Sequence, residues 1–367
     1  MLSLLTLVLS LGVILAGAEG FTNAVEWLGK KLRLSHGAVG SILAAVGTAM
    51  PETLIPVIAI VLGRGAAEAE GIGIGAILGA PFMLSTLAFF IVGLAALVLR
   101  HDGAYRTSLR LDAEIIRRDL RFFLIVYLVA ILAAFLPTRW PKVLTSAGLV
   151  AAYLVYAHQT IKGGRTQEDG MIPPLHFAPR SADPAMAAVV WQVFASLGAI
   201  VVGARLFVTA VESVSAAMGV PAFVLSLVIA PVATELPEKF NSVIWLRQGK
   251  DTLALGNITG AMVFQSSIVP TVGILLTPWR LDGLAVGSAL AALASAGLAA
   301  FTMARQGEIR PPTLLVGGFF YLGFIVAIFY RQTDNPWYAL LFAPYAAVHW
   351  LLVRRYTRNL QSVRQAG

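Results

Sequence analysis

Two glutamates, Glu52 and Glu238, stand inside apolar stretches, each one helical turn after a threonine and directly after a proline, in the strings GTAMPETLIP and ATELPEKFNS. A charged side chain at the centre of a lipid-spanning helix costs about 2.5–3.5 kcal/mol on insertion scales, so such acids are expected to face a polar cavity or a partner. Thr48 and Thr234 precede the glutamates by four positions, which puts hydroxyl and carboxylate on one helix face. Pro51 and Pro237 lack an amide hydrogen, and within a helix each withdraws the donor from the carbonyl four residues earlier, Gly47 or Ala233. Carboxylate, hydroxyl and carbonyl oxygens are what hard cations such as Na+ and Ca2+ take as ligands. The alternative for each acid is structural: protonation, or pairing with a polar group of a neighbouring helix.

Holding oxygens at that depth requires helices that cross lipid, and the composition supplies them. The chain of 367 residues is 58% hydrophobic and 13% charged, where soluble domains carry about 25% charged residues. Hydropathy and loop punctuation predict eleven spans, at 2–28, 37–62, 73–99, 121–136, 142–160, 186–217, 222–246, 252–278, 282–304, 312–330 and 336–353. The first string, MLSLLTLVLSLGVILAGAEG, is similar to a secretory h-region but lacks a basic n-region, and it is read as the first span.

Placing alternate loops on opposite sides gives one side twenty Lys and Arg residues and the other five. By the positive-inside rule the N-terminus is expected outside and the C-terminus in the cytoplasm. The net charge of +8 is thereby assigned to loops, and no nucleic-acid partner is expected. The basic run Arg100–Arg121 reads as a cytoplasmic surface helix, and Trp140, Trp279, Trp337 and Trp350 read as interface anchors at span ends.

Cysteine is absent and the five histidines are scattered, which excludes thiolate metal sites and suggests no zinc chemistry. There is no GxxxxGK[ST] loop for ATP and no serine–histidine or paired-aspartate arrangement beside the acids, so neither a pump nor a hydrolase is indicated. The expectation is a non-enzyme without a resident cofactor. Its partners are inorganic cations and the lipid bilayer, with the oligomeric state open and a monomer allowed.

The chain contains itself twice. Residues 17–52 align without a gap to 203–238 at an offset of 186, with Gly17, Ala18, Phe21, Ala24, Val25, Glu26, Ala44, Val46, Thr48, Pro51 and Glu52 identical in both copies. GAILGAPFMLST at 75–86 then answers GNITGAMVFQSS at 256–267. Five spans precede the second copy, so the copies enter the membrane in opposite senses, a frequent plan for secondary transporters. Gly75, Gly79 and Ala80, with Gly256, Gly260 and Ala261, provide small-residue surfaces for close helix approach.

GTAMPE at 47–52 and ATELPE at 233–238 resemble the paired G-T-S-x-P-E signatures of the sodium/calcium exchanger family, within the calcium/cation antiporters. GAILGAPFMLS and GNITGAMVFQS resemble that family's G-N-x-x-G-S-N-x-x-[ND] segments, so the likeness covers most of the chain. It implies an all-α membrane protein with an inverted-repeat exchanger fold of ten core transmembrane helices, here with an eleventh at the C-terminus. The implied organisation is a first repeat at 1–160, a cytoplasmic connector at 161–184, a second repeat at 185–335, and an extra helix and basic tail at 336–367. It also implies that spans two, three, seven and eight surround the ions while spans one and six slide across them. Thr48, Glu52, Thr234 and Glu238 carry over as ligands by motif position.

The departures bear on cargo. Ala49 and Glu235 replace the serine after each threonine, Ala80 and Ala261 replace the serine of the second segment, and Leu84 and Gln265 replace its final Asn or Asp. Lys239 adds a cation beside Glu238. Glu235 and Gln265 are therefore further candidate ion ligands, Gly47 and Ala233 candidate carbonyl ligands, and Lys239 a modulator of the site. Glu52, Glu235 and Glu238 against Lys239 give a formal charge of −2, which suits one Ca2+, two Na+, or either against protons. The expected function is Na+/Ca2+ exchange by alternating access in a prokaryotic plasma membrane. A proton-coupled or monovalent antiporter, and a non-transporting scaffold or sensor, stay open. Glu26 and Glu212 are read as interfacial or packing partners, and Glu19 with Arg205 as an inter-repeat pair or part of an access path.

Overall fold

A computed structural model describes residues 2–32, 50–63, 66–101, 104–162, 172–333 and 335–366. Its long elements are helices, as lipid requires of a chain whose backbone amides must be satisfied within each segment. In chain order they are α1 (Leu2–Lys31), α2 (Met50–Leu62), α3 (Ala67–Met83), α4 (Phe89–Val98), α5 (Ala113–Leu132), α6 (Arg139–Lys162), α7 (Met186–Met218), α8 (Ala222–Arg247), α9 (Asp251–Leu276), α10 (Gly283–Gln306), α11 (Pro311–Thr333) and α12 (Phe342–Ala366). Two-residue strands β1 (Arg100–His101) and β2 (Ala104–Tyr105) pair antiparallel before α5. Among the described residues six helical runs are long and apolar enough to cross a membrane: α1, α3 with α4, α7, α9, α10 and α11. The front of the expected span at 37–62 lies outside the described residues.

The chain forms two compact units, each drawing on both halves of the sequence. One comprises Met1–Ile77, Val143–Thr234 and Ile268–Pro278; the other comprises Leu78–Lys142, Glu235–Ser267 and Trp279–Gly367.

In the first unit α1 packs along α7, and the seam is symmetric. A Cβ on Gly17 would stand 2.9 Å from Ile200 Cγ1 and 3.0 Å from Ser196 O; one on Gly203 would stand 2.8 Å from Ile14 Cγ1 and 3.2 Å from Ser10 O. Ser196, Ile200 and Gly203 are the counterparts of Ser10, Ile14 and Gly17 at the offset of 186. As α1 passes from Ser10 to Gly17 it meets α7 from Gly203 back to Ser196, so the two helices are antiparallel about a local two-fold axis. The repeat therefore begins earlier than Gly17: Ser10, Leu11, Gly12 and Ile14 match Ser196, Leu197, Gly198 and Ile200.

The described end of the connector is laced to the same two helices. Trp27 Nε1 and Asn23 Nδ2 donate to Pro173 O at 2.9 and 3.2 Å, and Phe177 N donates to Gln192 Oε1 at 2.8 Å. Gln192 Nε2 donates to Asn23 Oδ1 and to Gly20 O, both at 2.9 Å. Outside the lipid, Lys31 Nζ lies 2.5 Å from Asp183 Oδ1 and holds that carboxyl below its ordinary range. What this exposed contact contributes is complete above the usual carboxylate range and is lost as pH falls through the lowered value.

In the second unit two expectations are corrected. The basic run is not one surface helix: α5 begins only at Ala113, where Asp112 Oδ1 caps Glu114 N and Ile115 N. Upstream, backbone amides are used in tertiary bonds: Arg110 N donates to Asp251 Oδ2 and Asp112 N to Thr252 Oγ1. Trp279 is likewise no interface anchor. It is fully buried with a left-handed φ of 47°, and its Nε1 donates to Ala130 O at 2.9 Å. Trp140, Trp337 and Trp350 are exposed. Trp279→Phe removes the donor for a buried carbonyl and leaves a void, so a loss of about 1–3 kcal/mol is expected, read as a lower thermal midpoint in detergent.

Between α3 and α4 the helix widens into a π-turn at Leu84–Ala88, an uncommon form that often marks functional positions. Ser85 Oγ donates to Pro81 O at 2.8 Å, Ser295 Oγ donates to Ser85 O at 2.5 Å, and the Thr86 hydroxyl bonds Phe82 O. Gly317 of α11 lies directly against the Thr86 backbone, an approach that a side chain there would block.

Candidate cation site

In the first unit Glu52 lies in the first turn of α2 and is 6% exposed, with Ile55 and Ala59 buried farther along the helix. Pro56 lies four residues on, so the helix supplies no amide to the Glu52 carbonyl. This oxygen was legible as the spacing of Glu52 to Pro56, and it adds to those expected from Pro51. Thr234, on α8, is buried, and its Oγ1 donates to Ala230 O at 3.0 Å. With that proton committed to the backbone, the hydroxyl oxygen is left as an acceptor, the form a cation requires. Gly47 and Thr48 lie outside the described residues.

In the second unit α8 continues without interruption past Pro237, which withdraws the helical donor from Ala233 O. Glu235 and Lys239 are one turn apart, with Lys239 Nζ 3.1 Å from Glu235 Oε2. From α9, Gln265 Nε2 donates to Glu235 Oε1 at 2.9 Å. Both carboxylate oxygens of Glu235 are thus engaged, and all three residues are buried. Removing one partner of such an ion pair costs about 3–5 kcal/mol, because it strands a charge away from water. Gln265 Oε1 is buried and has no hydrogen-bond partner among the described residues. The fold therefore brings together Glu235, Lys239 and Gln265; the backbone of Glu238 lies on the same helix.

On α9 the Ser266 and Ser267 hydroxyls donate to Val263 O of their own helix at 3.0 and 2.7 Å, whereas Asn257 Nδ2 donates across to Ser242 Oγ of α8 at 3.4 Å. Asp119 was not singled out from the sequence, where it is one acid among basic loop residues. In the fold it is buried on α5 and accepts from Thr259 Oγ1 of the GNITGAM segment at 2.9 Å. No local pattern signals that contact, since 140 residues separate the partners.

The small-residue surfaces differ between copies. Gly75 lies directly against Phe223 O, with a Cβ there 3.1 Å from Leu227 N, whereas a Cβ on Gly256 or Gly260 meets no described atom within 4 Å. Glu19 and Arg205 are exposed on α1 and α7, and Glu26 and Glu212 are half-buried there.

The sodium/calcium exchanger protein family model matches residues 2–161 and 188–332. The chain is 23% identical over 361 residues to the sodium/calcium exchanger MaX1 of Methanosarcina acetivorans, covering 89% of this chain and 98% of that one. Among solved structures, the H+/Ca2+ exchanger CAX is similar with a TM-score of 0.71 at 17% identity, covering 99% of this chain and 91% of that one. The sodium-calcium exchanger NCX_Mj gives 0.54 at 18% identity, covering 88% and 98%. A chain whose long described elements are helices, with an antiparallel, two-fold α1–α7 seam and this breadth of family match, belongs to the sodium/calcium exchanger protein family.

Proposed function

We propose that this chain is a secondary cation antiporter that exchanges Ca2+ for Na+ by alternating access in a prokaryotic plasma membrane. Glu52 and Glu238 serve as carboxylate ligands, Thr48 and Thr234 as hydroxyl ligands, and the Gly47 and Ala233 carbonyls complete the repeat-related sets. Gln265 contributes its amide oxygen. The observation that carries this reading is Gln265 itself: its nitrogen is spent on Glu235, its buried oxygen has no described partner, and it occupies the motif position of the family's Asn or Asp. A buried amide oxygen without a donor is costly unless something positive meets it. Oxygen ligands in this number suit a hard cation.

Proton coupling is the second reading. It is favoured by the engagement of both Glu235 oxygens and by Ala49, Ala80 and Ala261, which leave fewer oxygens for several Na+ ions. The H+/Ca2+ exchanger CAX shares the fold. The N-terminus is read as outside and the C-terminus as cytoplasmic, on the loop-charge asymmetry alone.

The test is Ca2+ uptake into proteoliposomes under an imposed Na+ gradient at constant pH, and separately under a pH gradient without Na+. The Na+ gradient is expected to drive uptake. Uptake driven by pH alone removes the sodium assignment, and no uptake under either removes the antiport reading.

A further inference from the structure

Lys239 is a cation that the chain carries within its own candidate site. Its ammonium lies 3.1 Å from Glu235 Oε2, while Gln265 Nε2 holds Oε1 at 2.9 Å. The side chains of Lys239 and Glu235 are 2% and 4% exposed. An ammonium in this setting neutralises a carboxylate as a bound monovalent ion would, yet it is tethered to the helix and cannot leave with cargo.

We propose that Lys239 is a resident, non-transported cation that fixes how many charges the site must collect from solution. The proposal deepens the antiport reading and rests on it. On the antiport reading the acids are Glu52, Glu235 and Glu238, a formal charge of −3 that Lys239 reduces to −2. One Ca2+ then balances the acids, as do two monovalent ions, and the cycle moves no net charge. Without Lys239 the same acids require one more monovalent ion on the opposite leg. Geometry supports a second role: Glu235, held by Lys239, accepts the Gln265 nitrogen and so fixes which end of that amide carries the unpartnered oxygen. A lone glutamate would be free to bind cargo itself.

The coupling ratio is read from the counter-ion gradient at which net Ca2+ flux falls to zero against a fixed Ca2+ gradient in voltage-clamped proteoliposomes, with Na+ or H+ as the counter-ion that the gradient experiment identifies; net current is recorded separately. Native protein is expected to exchange about two monovalent ions per Ca2+ without net current. K239M is expected to raise the ratio by one and to become electrogenic. K239R, which keeps the charge, and E235Q/K239M, which removes the pair together, are expected to give the native ratio whatever their rates. If K239M elutes unfolded from size exclusion, the double variant decides: a native ratio supports the proposal and a raised one overturns it. Native flux with an unchanged ratio in folded K239M overturns the resident-cation proposal alone. Absence of native flux under either gradient overturns the antiport reading beneath it.

Discussion

Glu52→Gln is expected to abolish gradient-driven Ca2+ uptake while the protein elutes as a folded species, and Glu238→Gln is expected to do the same. Glutamine keeps the shape of the side chain and one oxygen but loses the charge, so helix packing is preserved and the cation loses its counter-charge. Electrostatic compensation of an ion in a water-poor site is worth several kcal/mol, and each 1.4 kcal/mol is tenfold in affinity. Uptake should fall by about 100-fold or more. The measurement is isotope uptake into proteoliposomes at matched protein content, with thermal midpoints as the folding control. Undiminished uptake in both variants would sink the ligand assignment. A loss in one variant only would restrict it to that repeat.

The second large effect concerns the α1–α7 seam. Gly17→Leu and Gly203→Leu each place a branched side chain where backbone oxygens already stand at 3.0–3.2 Å from a mere Cβ, and where Ile200 or Ile14 is at 2.8–2.9 Å. Overpacking against movable side chains costs about 1–3 kcal/mol; against a neighbouring helix backbone the helices must separate, so the cost is larger. Both variants are expected to be recovered as aggregate or at a few percent of native yield. Gly17→Ala and Gly203→Ala are expected to lower the thermal midpoint by similar amounts, because the two positions are related by the local two-fold axis. A leucine variant of native stability, or alanine variants that differ widely, would contradict the seam as described.

Much of this architecture was legible because lipid imposes a simple rule. Apolar runs must become helices, and α3 with α4, α7 and α9 to α11 follow the predicted spans closely. The repeat from Gly17 and the i, i+4 spacing of Glu235 and Lys239 were also readable, since both are matters of sequence distance. What was not readable depends on partners far along the chain. Trp279 resembles an interface anchor by position, but Ala130 supplies a carbonyl and the second unit encloses the ring. The Arg100–Arg121 run has helical composition, but Asp251 and Thr252 take the amides of Arg110 and Asp112. The upstream matches at Ser10, Leu11, Gly12 and Ile14 stand at the same offset of 186 and are equally readable as sequence; only the contacts show that they form the α1–α7 seam. Motif position points to Gln265, whereas its split role, nitrogen to Glu235 and oxygen without a partner among the described residues, depends on a neighbouring helix 30 residues away.

The π-turn at Leu84–Ala88 sets the two copies to different uses. The aligned stretch of the later copy, which begins at Gln265, lies within α9, a helix from Asp251 to Leu276. A π-turn opens the regular helical ladder, and here the Ser85 carbonyl takes the Ser295 hydroxyl while Gly317 meets the Thr86 backbone. One copy thus spends this stretch on seating its backbone against neighbouring helices, and the other on presenting the Gln265 side chain to Glu235.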